Sequence, residues 1–339
     1  MRDCKIALRE RVKILAIFAV AVAVIFAFFV ALTIGEIDIA FSDCVRLIFS
    51  PDISYESQLI NSIRLPRIIA ALAVGASLAL SGCLYQGIIG NPLVSPSILG
   101  VLNGASFGAA LGMILGYDML GVEILSFAFG LLAMCVALFL SFIFDRNRGI
   151  LMLILGGIIT SSFFGAGVSF LKIVADPYST LPNITYWLLG SLAFVGEMPL
   201  FVLCVVAICS VILCTILANY IDVLNLDRDS ALTLGVNVVA MRLVFIIIAT
   251  LLASCSVAVG GLIGWIGLVI PHISRLIIGA NHRFSILFAF FFGALFLLIC
   301  DTLARSVANT EIPLGIITAV LGIPIFVAVL FLNKTAKNV

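Results

Sequence analysis

Ile14-Leu15-Ala16-Ile17-Phe18-Ala19-Val20-Ala21-Val22-Ala23-Val24-Ile25-Phe26-Ala27-Phe28-Phe29-Val30-Ala31-Leu32-Thr33-Ile34 is an apolar run without one charged residue. About 20 such residues in a helix cross the hydrocarbon core of a bilayer. Arg2, Lys5, Arg9, Arg11 and Lys13 precede the run, which gives it the outline of a signal peptide. It exceeds the roughly 7–15 apolar residues of a signal-peptide core and continues past its small-x-small triplet, Ala21-Val22-Ala23. It is therefore expected to stay as a signal anchor and to form the first span.

The rest of the chain has the same character. Of 339 residues, 63% are hydrophobic and 10% charged, with a mean hydropathy of +1.32. A globular domain holds about 45–50% apolar and about 25% charged residues, so a soluble fold is excluded. Breaks at charged, proline or glycine clusters predict an all-α membrane protein of about ten transmembrane helices. They fall near 14–34, 64–84, 96–116, 121–144, 150–171, 192–218, 239–259, 262–278, 284–301 and 312–332. Residues 1–339 read as one transmembrane domain, with no room for an extramembrane one.

Cytoplasmic loops carry the excess of Lys and Arg. With the N-terminus inside, Arg2, Lys5, Arg9, Arg11, Lys13, Arg146, Arg148, Arg228, Arg242, Arg275, Arg283, Lys334 and Lys337 fall inside, 13 of the 18 basic residues. Arg46, Arg64, Arg67, Lys172 and Arg305 fall outside, with most of the acids. Both termini are expected on the cytoplasmic side of an inner membrane.

The nine cysteines form no C-x-x-C pair and most lie in apolar runs, where thiols serve as small hydrophobes. Two histidines, His272 and His282, leave almost no material for a metal or haem site. The ionisable residues map to loops and span ends, whereas a proton- or sodium-coupled carrier needs buried carboxylates. That points to an external energy source. A membrane-embedded enzyme would need clustered polar groups at one depth, and none is visible.

The third span carries Gly100, Gly104, Gly108, Gly112 and Gly116 at a strict spacing of four. Such a row lets another backbone approach along one helix face, and serves helix packing or the border of a translocation path. Ser77-Leu78-Ala79-Leu80-Ser81-Gly82 and Ser256-Val257-Ala258-Val259-Gly260-Gly261 echo each other, with Pro92 and Pro271 at the same offset of 179. Transporters often contain internal repeats, and chance similarity among small apolar residues competes with that reading.

Three segments are specific. The first holds Arg64-Leu65-Pro66-Arg67, Gln86 and Asn91-Pro92-Leu93-Val94-Ser95-Pro96-Ser97-Ile98-Leu99-Gly100. Its two prolines disfavour a helix and place an inside turn at 90–96. The second is Leu226-Asp227-Arg228-Asp229-Ser230-Ala231-Leu232-Thr233-Leu234-Gly235, where Asp229 or Ser230 can cap a short helix that Gly235 ends. The third runs Gly267-Leu268-Val269-Ile270-Pro271-His272-Ile273-Ser274-Arg275, then Asp301-Thr302-Leu303-Ala304-Arg305 and Glu311-Ile312-Pro313-Leu314-Gly315.

In that order the motifs R-L-P-R, N-P-L-x-x-P-x-x-L-G, G-L-x-x-P-H-x-x-R, D-x-x-A-R and E-x-P-x-G resemble the FecCD-type permeases of ABC importers for iron-siderophores, haem and cobalamin. The likeness extends from about residue 60 to 330. It implies ten helices per subunit and two subunits around a central path. Arg64, Arg67 and Arg305 match the positions at which the family receives acidic residues of an external substrate-binding protein. Residues 226–235, within a loop of about 222–238, match the coupling helix that enters the ATPase subunits. The path would involve the fifth and tenth spans and parts of the third, with Thr160, Ser161, Ser162 and Thr318 as candidates beside Gly100, Gly104 and Gly108. The turn Asp145-Arg146-Asn147-Arg148 lies where the family closes its inner gate, whose residues stay unassigned. His272 is expected to be structural rather than a metal ligand.

The resemblance implies partners in a second copy of the chain, two ATP-binding subunits, the binding protein and membrane lipid, with no nucleic acid. The chain has no G-x-x-x-x-G-K-[ST] loop of its own, so no cofactor is expected here and ATP with Mg belongs to the partner ATPase. Iron(III)-siderophore is the first expectation for the cargo, with haem, cobalamin or molybdate as alternatives and a secondary transporter as the more distant one.

Overall fold

A computed structural model describes residues 2–35, 37, 39–144, 150–226, 231, 233–279, 281–307 and 310–337. Among them the regular structure is helical throughout, and no strand occurs. Chain order gives α1 (Arg2–Thr33), α2 (Phe41–Phe49), α3 (Tyr55–Gln58, followed by a π-helical turn Leu59–Arg64), α4 (Leu65–Ile89) and α5 (Val101–Ile114). Next come α6 (Met119–Phe144), α7 (Ile150–Val174), α8 (Thr180–Leu188), α9 (Glu197–Ile216) and α10 (Ala218–Leu224). The last four are α11 (Val238–Gly260), α12 (Ile266–Ile278), α13 (His282–Ser306) and α14 (Leu314–Lys337).

Eight of these helices are long and apolar enough to cross a membrane, and α5 and α12 are shorter apolar ones. Together they occupy the ten stretches expected from hydropathy. At 1.5 Å per residue the 14 residues of α5 and 13 of α12 extend only about 20 Å, short of a hydrocarbon core of roughly 30 Å. Residues 90–100 and 261–265 make up the difference as irregular backbone. Such backbone is tolerated at membrane depth only inside protein, and Val94, Ser95, Leu99, Gly100 and Ile263 are indeed buried. The proline-bearing turn is thus longer than the expected 90–96, and it dips into the bundle. Its Pro96 lies beside Gly267, which also approaches Gly82 in the middle of α4.

Helix α4 is the centre, with nearly every residue from Arg67 to Ile89 buried. Its neighbours include α11, α12 and α13. Two glycine pairs permit this. Gly75 faces the backbone of Gly293 in α13, and Gly82 faces that of Gly267 in α12, so closely that a methyl group on Gly75 or Gly82 would overlap a carbonyl oxygen. The Ser81 hydroxyl donates to the Ala249 carbonyl at 2.7 Å, and the Tyr85 hydroxyl shares a 2.7 Å hydrogen bond with that of Thr250. Both tie α4 to α11.

The fold contains a repeat. α4 packs on α13 as α11 packs on α6, α5 touches α6 and α7 as α12 touches α13 and α14, and α12 meets α4 as α5 meets α11. The sequence echo at offset 179 does not mark this relation. Pro92 precedes α5 whereas Pro271 lies inside α12, so equivalent helices are out of step with equivalent prolines.

Gly82→Ala tests the central packing. Overpacking a tight interface costs about 1–3 kcal/mol, and a backbone neighbour cannot swing aside. Gly82→Ala is expected to lower the melting temperature of the purified protein by several degrees, while Gly264→Ala, where nothing lies within 4 Å of the added methyl, leaves it unchanged. Equal melting of the two variants would contradict the contact.

Candidate functional site

Three places on the bundle have the geometry of a working site: an ionic cleft at the outer end, a cavity between the two broken segments, and the loop after α10.

The outer cleft is built on the entry into α4. Pro66 sits in the first turn, where its missing N–H costs nothing, and so orients Arg64 and Arg67 on either side. Arg67 is buried, donates through Nε to Asp301 Oδ1 at 2.9 Å and holds its Nη2 2.8 Å from the same oxygen as an ion pair. Its Nη1 and Nη2 reach Glu311 Oε2 and Oε1 at 3.0 and 2.7 Å, a bidentate pair. Asp301 is 0% exposed. One turn later Arg305 Nε lies 3.1 Å from Asp301 Oδ2, close enough for an ion pair but not aligned as a hydrogen bond. Arg305 also donates to the carbonyls of Ile34 and Ala31 at 3.4 Å. Arg64 donates to the Leu32 carbonyl at 2.7 Å and to that of Ile37. Ser191 Oγ donates to Glu311 Oε1 at 3.1 Å.

The three arginines named from the sequence therefore converge, around a cavity of about 300 Å³ that Gly35, Tyr55 and Ala193 also line. They are not bare anchors at the lipid interface. Each is engaged within the chain, Arg64 by backbone carbonyls and Arg67 and Arg305 through Asp301 and Glu311, which the sequence motifs contain but whose pairing they do not reveal. Two of the carboxylates expected at span ends are buried in the bundle. Asp301 lies inside α13, and Glu123, in the first turns of α6, is 3% exposed with Oε1 unpartnered. Both lie toward the outer ends of their helices and not at mid-membrane.

A second cavity of about 300 Å³ lies where the breaks meet, lined by Ser95, Ser97, Ile98, Gly264, Trp265 and Leu268 among others. Trp265 has φ 69°, the one described non-glycine residue in the left-handed region. Such a conformation costs on the order of 1–3 kcal/mol and persists where the surroundings over-determine it. Here α12 begins immediately after it, and the Trp265 side chain covers Gly322 of α14.

The path candidates divide. Gly104 and Gly108 lie against α6, at Phe129 and Leu125, and Gly100, at φ 86°, starts α5 against Ser161 and Gly157 of α7. Thr160 is buried and donates to its own helix at Gly156, as Thr318 does at Gly315. Ser161 accepts from Asn103 Nδ2 at 2.6 Å, and Ser162 is exposed. Near the inner end, Gln86 donates to the Gly267 and Leu268 carbonyls and accepts from Arg275, joining α4 to α12. His272 packs edge-on against Phe326.

In the loop after α10, Asp227, Arg228, Asp229, Ser230 and Leu232 lie outside the described residues, as does the turn Asp145–Arg148. The loop leaves a well-anchored base. Asn225 donates to the Gly87 carbonyl at 2.9 Å, and Asp222 pairs with His282. Leu226 is half exposed, Ala231 is fully buried, Leu234 is 60% exposed, and Gly235 turns the chain at φ 73°. Among the described residues no group of three His, Cys, Asp or Glu could hold a metal ion.

The model of the FecCD transport family matches residues 23–332. The molybdate import system permease protein MolB of Haemophilus influenzae is 42% identical over 272 residues, 80% of this chain and 80% of that protein. A probable iron chelatin transport system permease protein of Helicobacter pylori is 35% identical over 289 residues, 85% of this chain and 87% of its own. A solved inward-facing structure of a candidate metal-chelate type ABC transporter superposes with a TM-score of 0.83 at 35% identity, covering 94% of this chain and 99% of that one.

The outer cleft predicts a pH dependence. Burial alone would raise the Glu311 carboxyl, but hydrogen bonds and charge from Arg67 override it and hold it below its ordinary 4.5. A carboxyl depressed in the folded state stabilises fully above its unfolded value and loses that contribution as pH falls through the folded one. The melting-temperature gap between the native protein and Glu311→Gln is thus expected to be constant at neutral pH and to close only below about 4.5. A gap already closing near pH 6 would contradict the pairing.

Proposed function

The chain belongs to the FecCD transport family of ABC transporter permeases, and on that premise we propose that two copies of it form the membrane pathway of a binding-protein-dependent importer. Two ATPase subunits on the cytoplasmic face supply the energy, and this chain hydrolyses nothing. The observation that carries the reading is the match in fold along 94% of the chain to a solved ABC transporter.

In this reading Arg64, Arg67 and Arg305 receive acidic side chains of the binding protein at the outer cleft. Guanidinium groups offer several donors in a fixed fork, so a partner carboxylate can share or displace the carboxylates and carbonyls that now hold them. The segment 226–235 meets the ATPase, with exposed Leu234 as its apolar contact. Closure of the ATPase pair would then move the inner ends of the helices as rigid bodies, and close-packed glycine contacts suit such rods. Cargo would pass between the two copies, along α7 and α14.

Iron(III)-siderophore is the first cargo we propose, supported by the relative from Helicobacter pylori named for iron chelatin transport. Molybdate is the second, favoured by the higher identity to the permease from Haemophilus influenzae.

Uptake into liposomes holding the permease, its ATPase and its binding protein separates them. Iron accumulation from a ferric siderophore, dependent on ATP and insensitive to ionophores, is the expected result. Accumulation of molybdate without iron moves the cargo to the oxyanion, and uptake abolished by ionophores in the presence of ATP would overturn the importer reading.

A further inference from the structure

The cytoplasmic ends of α6, α7 and α11 enclose a cleft of about 330 Å³ that belongs to none of the places described above. Leu138, Phe142, Leu153 and Leu243 wall it, and its polar groups come from Ser141 and Arg242. Arg242 stands one turn into α11. Among the described residues its Nε is buried without a hydrogen-bond partner, and no described Asp or Glu lines the cleft. The other buried or half-buried arginines of the bundle, Arg64, Arg67, Arg275 and Arg305, meet a carboxylate, an amide or carbonyl oxygens. A guanidinium in apolar surroundings is costly unless an anion or water reaches it.

The surroundings say which anion fits. Phe139 is 62% exposed, and Phe142 and Leu243 are half exposed, so apolar side chains that line the cleft also stand at the protein surface. A soluble acidic partner would bury its charge against that surface at a loss, whereas an acyl chain gains by lying along it. The excess of Lys and Arg on this side of the membrane places the cleft in the cytoplasmic leaflet, where basic pockets between helices suit anionic headgroups.

We propose that this cleft binds an anionic phospholipid of the cytoplasmic leaflet, its phosphate on Arg242 and one acyl chain along Leu138, Phe142 and Leu243. The site is independent of cargo, and its occupancy is read without transport.

The assembled transporter is placed in nanodiscs of phosphatidylglycerol and phosphatidylethanolamine in equal amounts, and lipid retained after mild delipidation is counted by native mass spectrometry. The native protein is expected to retain phosphatidylglycerol over phosphatidylethanolamine by about fivefold, the effect of one basic residue at a lipid surface. Arg242→Gln should bring the two to parity, and Arg242→Lys should keep the preference. A photoactivatable phosphatidylglycerol supplies a test on the native protein alone, with cross-links expected within 138–142 and 239–246. No preference in the native protein, an undiminished one in Arg242→Gln, or cross-links confined to other helices would overturn the proposal.

Discussion

The structure depends on a helix that has no lipid-facing side. Between helices in a membrane the hydrophobic effect supplies little, because lipid is as apolar as leucine, and close packing must supply the association. α4 obtains it by placing Gly75 on Gly293 and Gly82 on Gly267, so that backbone meets backbone on two neighbours. The rest is set by that position. A rod of 25 residues, about 37 Å long, carries Arg67 at its outer end into contact with Asp301, and Gln86 at its inner end into contact with Arg275.

The outer ionic cluster plays a different part from the glycine contacts. Intact, a buried ion pair adds little net stability, since desolvation consumes most of the attraction, while removing one partner costs about 3–5 kcal/mol. Its effect is register. Arg64, Arg67 and Arg305 pin the end of α1, the start of α4, the end of α13 and the segment at Glu311 into one arrangement. Such a surface has the fixed geometry that recognition of another protein needs, and its bonds are of the kind an incoming carboxylate can exchange.

The ten apolar stretches were legible because hydropathy at the scale of a membrane survives any detail of packing. The two half-length helices were legible only in outline, as the proline turn at 90–96 and a short, glycine-rich eighth span, since residues 261–265 are as apolar as a helix and the left-handed backbone at Gly261 and Trp265 is what sets them apart. The motif residues were legible one by one, but the union of Arg67 with Asp301, 234 positions away, leaves no periodic trace. Glu123 reads only as an acid at the start of the 121–144 span, and the helix turns it into the protein. Arg242 reads as one more cytoplasmic charge, and its Nε, buried without a hydrogen-bond partner among the described residues, is visible only in three dimensions.

Binding of the loaded substrate-binding protein to the reconstituted permease–ATPase complex tests the central claim most directly, measured for the native chain, for Arg64→Glu, and for Arg64→Glu paired with charge reversal of the acidic residues on one lobe of the binding protein. The account predicts strong weakening in the single variant, recovery in the paired one, and stimulation of ATP hydrolysis that follows binding in each case. Unchanged binding and stimulation in Arg64→Glu, with the protein folded, would contradict it.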